Sequence, residues 1–257
     1  MEAKIFETHA HYEDKQFDED REELLEGLAA HGIEYVVNVS YSLKSVKETL
    51  KLMEQYDFIY GAVGIHPEEA GELSEESFAW LSEQLSRDKV VAVGEIGLDY
   101  YWKEPEPELQ KIWFERQIDL AWEKKLPMII HSREAAKDTY EILKAGHAEE
   151  IGGVIHCFSY PKEMAEKFLD LGFYLGIGGV VTFKNSKKLK EVVEYMPLDR
   201  ILLETDCPYM APVPNRGKRN SSLNLKYIAA EIGRLKGCST DEVIIQTAKN
   251  ARKMYRI

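Results

Sequence analysis

Cysteine is scarce in this chain of 257 residues: there are three, Cys157, Cys207 and Cys238, and no two have Cys-x-x-Cys spacing. An odd, scattered set argues against a disulfide framework and a thiolate zinc site, and it fits a reducing cytoplasm. Long apolar runs are missing as well: no stretch of eighteen apolar residues suggests a membrane-spanning helix. The first residues, MEAKIFETHAHY, carry charges and a histidine pair where a secretory signal needs an apolar core, so a soluble, cytoplasmic protein is expected. There is no linker rich in Gly, Ser or Pro, no tandem repeat and no low-complexity tract, and one domain over residues 1–257 is the simplest account. Basic residues are outnumbered, 33 Lys and Arg against 45 Asp and Glu, for a net charge of −12. That balance repels nucleic acid at long range and argues against a basic surface that coats DNA. It weighs less against a nuclease, because carboxylates gathered around divalent cations, with one basic loop, still hold a phosphodiester locally.

What the chain does have is enough apolar material, 44% of its residues, for one large core. It also has eight strand-like runs, at 5–11, 35–40, 58–65, 90–98, 127–131, 153–158, 173–178 and 201–206. Polar, amphipathic stretches separate them. In 108–124, Leu109, Ile112, Trp113, Gln117, Leu120 and Ala121 recur at helical spacing. Residues 239–256 read as one further helix, with Ser239 or Thr240 as N-cap and Asp241 and Glu242 in its first turn. Short β-branched runs alternating with helices predict a parallel sheet covered by helices. Eight such units predict an α/β fold, a single (β/α)8 TIM barrel with an extra C-terminal helix.

Six potential metal ligands, His9, His11, Glu95, His131, His156 and Asp206, fall near the ends of these runs. The strand period of two tests whether they point the same way. Glu7, His9 and His11 share one face, as do Val91, Val93 and Glu95. Ile129 aligns with His131, Val154 with His156, and Leu202 with Glu204 and Asp206. With those faces lining the lumen, all six ligands meet at the C-terminal mouth, where barrel enzymes build their sites. If His131 and His156 were merely core histidines, several polar groups would be buried without a shared partner, which is costly. The same parity turns Cys157 and Cys207 outward into the helix layer as packing residues. His31 and His147 lie in polar helical or turn stretches and take no role.

Seven stretches then carry a family resemblance. They are Thr8-His9-Ala10-His11, Gly64-Ile65-His66-Pro67, Gly94-Glu95-Ile96-Gly97-Leu98-Asp99-Tyr100, Ile130-His131-Ser132-Arg133, His156-Cys157-Phe158-Ser159, Glu204-Thr205-Asp206 and Arg216-Gly217-Lys218-Arg219-Asn220. In these the chain resembles the TatD family of metal-dependent deoxyribonucleases, within the amidohydrolase-like barrels. The resemblance implies two divalent ions bridged by Glu95, with His9, His11 and Asp206 on one side and His131 and His156 on the other. Such ligands suit Zn, Mn, Fe or Ni, and Mg where waters complete the shell, so ligand type leaves the metal open. Two ions would acidify a water and neutralise a phosphate oxygen during in-line displacement. Asp206 is then the proton acceptor, with Glu95 and Glu204 as the other catalytic candidates. Glu204 has three open roles: orienting a ligand, bonding the incoming water, or anchoring a basic side chain. Glu7, where the family usually has Asp, reads as a group that orients an imidazole from behind.

For substrate, His66 is placed to donate to a phosphate and Arg133 to clamp one. Arg216, Lys218 and Arg219, on the loop after the eighth strand, face an anionic ligand at the mouth. Tyr100, Tyr101 and Trp102 either stack on unpaired bases or pack the barrel loops. The chain departs from the family pattern at Tyr160, Ser221 and Ser222, which bears on loop shape and substrate preference. The expectation is a hydrolase cleaving DNA phosphodiester bonds, acting as a 3′ to 5′ exonuclease on single-stranded ends, without a membrane partner. The alternative is a two-metal hydrolase of a small-molecule phosphoester, lactone or amide. A non-catalytic binding protein is the third class, and it alone would tolerate Asp206→Asn. Oligomeric state and native metal stay open.

Overall fold

The computed structural model describes residues 3–257. Eight strands form one parallel sheet in chain order: β1 (Ile5–Ala10), β2 (Ile33–Val39), β3 (Ile59–Val63), β4 (Val90–Asp99), β5 (Met128–Arg133), β6 (Gly153–Ile155), β7 (Tyr174–Ile177) and β8 (Ile201–Leu203). The helices are α1 (Arg21–Gly27), α2 (Leu43–Gln55), α3 (Glu75–Gln84), α4 (Pro107–Lys124), α5 (Ala136–Ala145), α6 (Lys162–Asp170), α7 (Lys187–Tyr195), α8 (Leu225–Lys236) and α9 (Thr240–Tyr255). The ring closes just beyond β8, where Ala10 bridges Cys207, Asp206 N donates to His9 O and His11 N donates to Cys207 O. This is the expected (β/α)8 barrel. Among the described residues no helix is long and apolar enough to cross a membrane.

Two apolar clusters divide the core. The inner one takes residues from every strand: Phe6, Val37, Val39, Ala62, Val91, Ala92, Ile129, Val154, Tyr174 and Leu202. Ala248, Ala251, Met254 and Tyr255 of α9 join it, so α9 plugs the N-terminal end of the barrel. Tyr255 stacks on Phe6 at 5.9 Å, and Asn250 Nδ2 donates to the carbonyls of Leu198 and Ile201 at the start of β8. The outer cluster seals the sheet against the surrounding helices. Burying each large aliphatic or aromatic side chain contributes about 1.5–3 kcal/mol.

Strict alternation fails where ladders slip. The β4–β5 register shifts between Val93 and Ile96, and the β3–β4 register shifts earlier at Ala62. Val93 therefore packs in the outer cluster, not in the lumen beside Val91, which corrects the expected face. In α4 the buried side is Gln110, Trp113, Phe114, Gln117, Ile118, Leu120 and Ala121, while Ile112 is 53% exposed. Ile112 had the right spacing but lies on the solvent side of the stripe.

Of the two cap candidates for α9, Ser239 is the one used. Its Oγ accepts from Glu242 N at 3.2 Å, and Glu242 Oε2 accepts from Ser239 N at 2.8 Å, a reciprocal capping box. Because α9 seals the barrel, Ser239→Ala is expected to lower global stability by about 1 kcal/mol, read as a lower urea midpoint at unchanged m. A midpoint equal to wild type would mean that α9 frays independently of the barrel.

Candidate metal centre

The six expected ligands converge at the C-terminal ends of β1, β4, β5, β6 and β8. His156 and Asp206 lie beyond the last strand residues, Ile155 and Leu203, so both runs stop short of the predicted strands. The chain turns there through left-handed backbone, φ 46° at Cys157 and 57° at Asp206. Non-glycine residues adopt this region at a cost, and functional sites are where it recurs.

Glu95 occupies the middle. Its Oε2 lies 3.3 Å from His9 Nε2 and 3.9 Å from His11 Nε2, while Oε1 lies 2.8 Å from His131 Nδ1 and 4.0 Å from His156 Nε2. Asp206 Oδ1 sits 3.3 Å from His11 Nε2, 3.6 Å from His156 Nε2 and 3.8 Å from His9 Nε2. One carboxylate thus offers a different oxygen to each of two imidazole sets.

The donor chemistry fits a cation. His11 Nδ1 is 2.7 Å from the Val39 carbonyl, which can only accept; burial opposes charge on the ring, yet Asp206 and Glu13 raise its pKa well above the usual imidazole value, so Nε2 would offer its lone pair once a cation displaced the proton there. His11 Nε2 lies 3.1 Å from His9 Nε2, with Glu95 and Asp206 alongside. His9 Nδ1 is buried with no hydrogen-bond partner among the described residues. His9 also stacks on His156 at 3.5 Å, and burial together with His156 pushes its pKa down. Burial opposes charge on His131 and His156 too. Asp99 and Glu95 nevertheless lift His131 to about 9, and Glu204, Glu95 and Asp206 lift His156 to about 9. Burial works against a charged Glu95, yet His156, His9 and His131 hold it well below the usual carboxylate range. Lone pairs and carboxylates aimed at a common space are what a divalent ion requires.

A supporting ring of side chains fixes these groups. Glu204 Oε2 accepts from His156 Nδ1 at 3.1 Å and Oε1 accepts from Cys157 N at 2.7 Å, turning His156 Nε2 toward the centre. Of the three roles open to Glu204, this is the orienting one. Gly176 makes room for that carboxylate, since a Cβ there would meet Oε2 at 2.2 Å. Asp99, which the strand reading left without a role, pairs with His131 Nε2 at 2.9 Å and accepts from Tyr101 N. The available signal was its position four residues beyond Glu95 on the same strand face.

Two expectations are corrected. Glu7 does not touch an imidazole. Its carboxylate accepts from Thr205 N, Thr205 Oγ1, Ser222 Oγ and the backbone N of His9, bracing the segment that leads to Asp206, and burial raises it to about 7. Cys157 does not point into the helix layer. Its Sγ clusters with His156 and Glu204, because left-handed backbone, not strand parity, sets its direction. Cys207 is buried in the outer cluster as expected.

His66 adjoins the centre, with Nε2 3.9 Å from Glu95 Oε1 and its ring 4.2 Å from that of His131. Burial and His131 push it down to about 3, and Nδ1 accepts from Glu68 N, so the neutral ring carries its proton on Nε2. The Arg133 guanidinium lies 3.7 Å over the Tyr101 ring and has no ion pair among the described residues. Tyr101 and Trp102 are half exposed, whereas Tyr100 donates to Asp138 and packs on the core. In the loop after β8, Arg216 covers Phe183 and Lys218 is exposed. Arg219 is already engaged, by a fork to Asp20 and a bond to the Gln16 carbonyl. His31 and His147 lie away from the centre, the latter 3.7 Å from Glu149.

The family described as TatD related DNase matches residues 6–256. A Bacillus subtilis protein, YabD, called an uncharacterized metal-dependent hydrolase, is 45% identical over 98% of this chain and 99% of its own length. The Mycobacterium tuberculosis protein TatD, called the same, is 36% identical over 90% of this chain and 89% of its own. The crystal structure of YjjV, a TatD homologue from Escherichia coli K12, superposes with a TM-score of 0.94 at 31% identity, covering all of both chains. The chain belongs to the TatD family of metal-dependent hydrolases.

Proposed function

We propose that this hydrolase cleaves DNA phosphodiester bonds, removing nucleotides from single-stranded 3′ ends at a centre for two divalent ions. The observation that carries the reading is the placement of Glu95, each oxygen facing its own imidazole set. His9, His11 and Asp206 would hold one ion, His131 and His156 the other, with Glu95 shared. A bound pair supplies an activated water at neutral pH and offsets charge on the phosphate. Asp206 has the most exposed of the two carboxylates, at 18%, and accepts the proton that the attacking water loses. Glu204 keeps His156 in the right tautomer throughout. His66 donates from Nε2 to a phosphate oxygen. Arg133, free of carboxylate partners among the described residues and backed by Tyr101, holds the phosphate or the flanking base. The family name supports DNA as the substrate.

The test is chromatographic detection of mononucleotides from a short single-stranded DNA, with Zn, Mn, Mg, Fe or Ni supplied in turn. Release with at least one metal and none after chelation is expected. No release with any of them would move the activity to a small-molecule phosphoester, lactone or amide.

A further inference from the structure

Two stretches of this acidic chain, residues 171–190 and 207–230, carry no Asp or Glu, although 45 of the 257 residues are carboxylates. They hold the loops after β7 and β8, and both loops rise from the metal centre. The β7 loop leaves from beside Glu204, since a Cβ on Gly176 would meet its Oε2 at 2.2 Å and one on Gly178 would meet its backbone oxygen at 3.6 Å. The β8 loop leaves from Asp206. The two are joined: Val213 N donates to Thr182 Oγ1 at 2.9 Å, and the Arg216 guanidinium lies 4.0 Å over the Phe183 ring. Lys184, Lys187 and Lys188 follow Phe183, Arg216 and Lys218 stand on the neighbouring loop, and all five are exposed. None of them makes an ion pair among the described residues, whereas Lys190, the next lysine along, pairs with Glu231 at 3.0 Å.

Fold stability does not account for this charge. Lys187 and Lys188 occupy the first turn of α7, which contains no acidic residue, and cations there oppose the helix dipole. Five cations gathered on two joined loops without counter-charges also repel one another. That cost is offset when a polyanion lies across them, and a single strand of DNA supplies a phosphate at every nucleotide. Resting on the nuclease reading above, we infer that the β7 and β8 loops form a track for the phosphate backbone of the strand beyond the nucleotide being cleaved, with Lys184, Lys187 and Lys188 as its outer contacts. The track gives a protein of net charge −12 a local hold on DNA. It also makes cleavage depend on strand length, because phosphates beyond the scissile one add affinity without touching the metal centre.

A variant combining Lys184→Gln, Lys187→Gln and Lys188→Gln tests this. Its control combines Lys125→Gln, Lys249→Gln and Lys253→Gln, an equal loss of charge from exposed residues at the opposite, α9 end of the barrel. Cleavage by the metal-loaded protein is measured on a dinucleotide, whose one phosphodiester must sit at the centre, and on a strand of about twelve nucleotides. Wild type and control are expected to prefer the longer strand by roughly tenfold in kcat/KM at low salt, whereas the track variant keeps the dinucleotide rate and loses most of that preference. Fluorescence anisotropy of the same strand, bound without metal so that it is not cut, adds a salt titration. The slope of log Kd against log salt should be lower by about two in the track variant, since each single-strand phosphate contact contributes about 0.7. No length preference in wild type, a preference and slope unchanged in the track variant, or an equal loss in the control overturns the track and leaves the nuclease standing. No hydrolysis of either substrate with any divalent metal overturns the nuclease reading, and the metal-free anisotropy still decides the track.

Discussion

Glu95→Ala is expected to remove hydrolysis altogether, with kcat/KM reduced by roughly a thousandfold or more, as happens when a group acting as one unit with its neighbours is deleted. Both carboxylate oxygens are in use, one beside His9 and His11, the other beside His131. Deleting them leaves four imidazoles facing each other across a buried space with Asp206 as the remaining central anion. Cation uptake should fall in step with activity, so metal content by mass spectrometry after dialysis separates this cause from lost substrate binding. Full activity with an undiminished metal content would remove Glu95 from the centre.

Gly97→Ala should injure the fold and the centre together. Gly97 has φ 144°, a region that L side chains rarely adopt, and an added Cβ would sit 1.9 Å from the His131 carbonyl oxygen. Backbone, not a flexible side chain, is in the way. β4 and β5 would have to part at the point where Gly97 pairs with His131. Conformational strain and overpacking each cost about 1–3 kcal/mol, which together lower Tm by roughly 5–15 °C for a chain of this size. Calorimetry on the metal-free protein measures this directly, and metal titration of the variant should show weakened binding. An unchanged Tm would show that the strand pair accommodates a methyl group there.

The barrel and the convergence of six candidate ligands were legible because five of the eight strand runs end on residues whose chemistry is out of keeping with an apolar run. Imidazoles and carboxylates placed after Ile5, Val90, Ile129, Val154 and Leu202 have no reason to be there unless they meet. What the pattern missed follows from treating strands as uninterrupted. Parity misplaced Val93 across a register shift, and it sent Cys157 outward although the chain had already left β6. Asp99 shares Glu95's strand face, but its partner His131 is 32 residues away and only the fold brings the two together. Arg219 illustrates a different limit. A basic residue on a mouth loop invites an anion, but Asp20, from the other end of the chain, reaches it first.

The plug formed by α9 also orders events in time. Phe6 of the first strand stacks on Tyr255, and the Tyr255 hydroxyl donates to the Thr8 carbonyl across 247 positions of sequence. The first strand of the barrel therefore depends on the last helix of the fold. Contacts of such separation form slowly, because a long loop must close before they are made. Until α9 docks, the N-terminal end of the lumen and the inner side of Phe6 remain uncovered, so closure of the barrel floor waits on this helix.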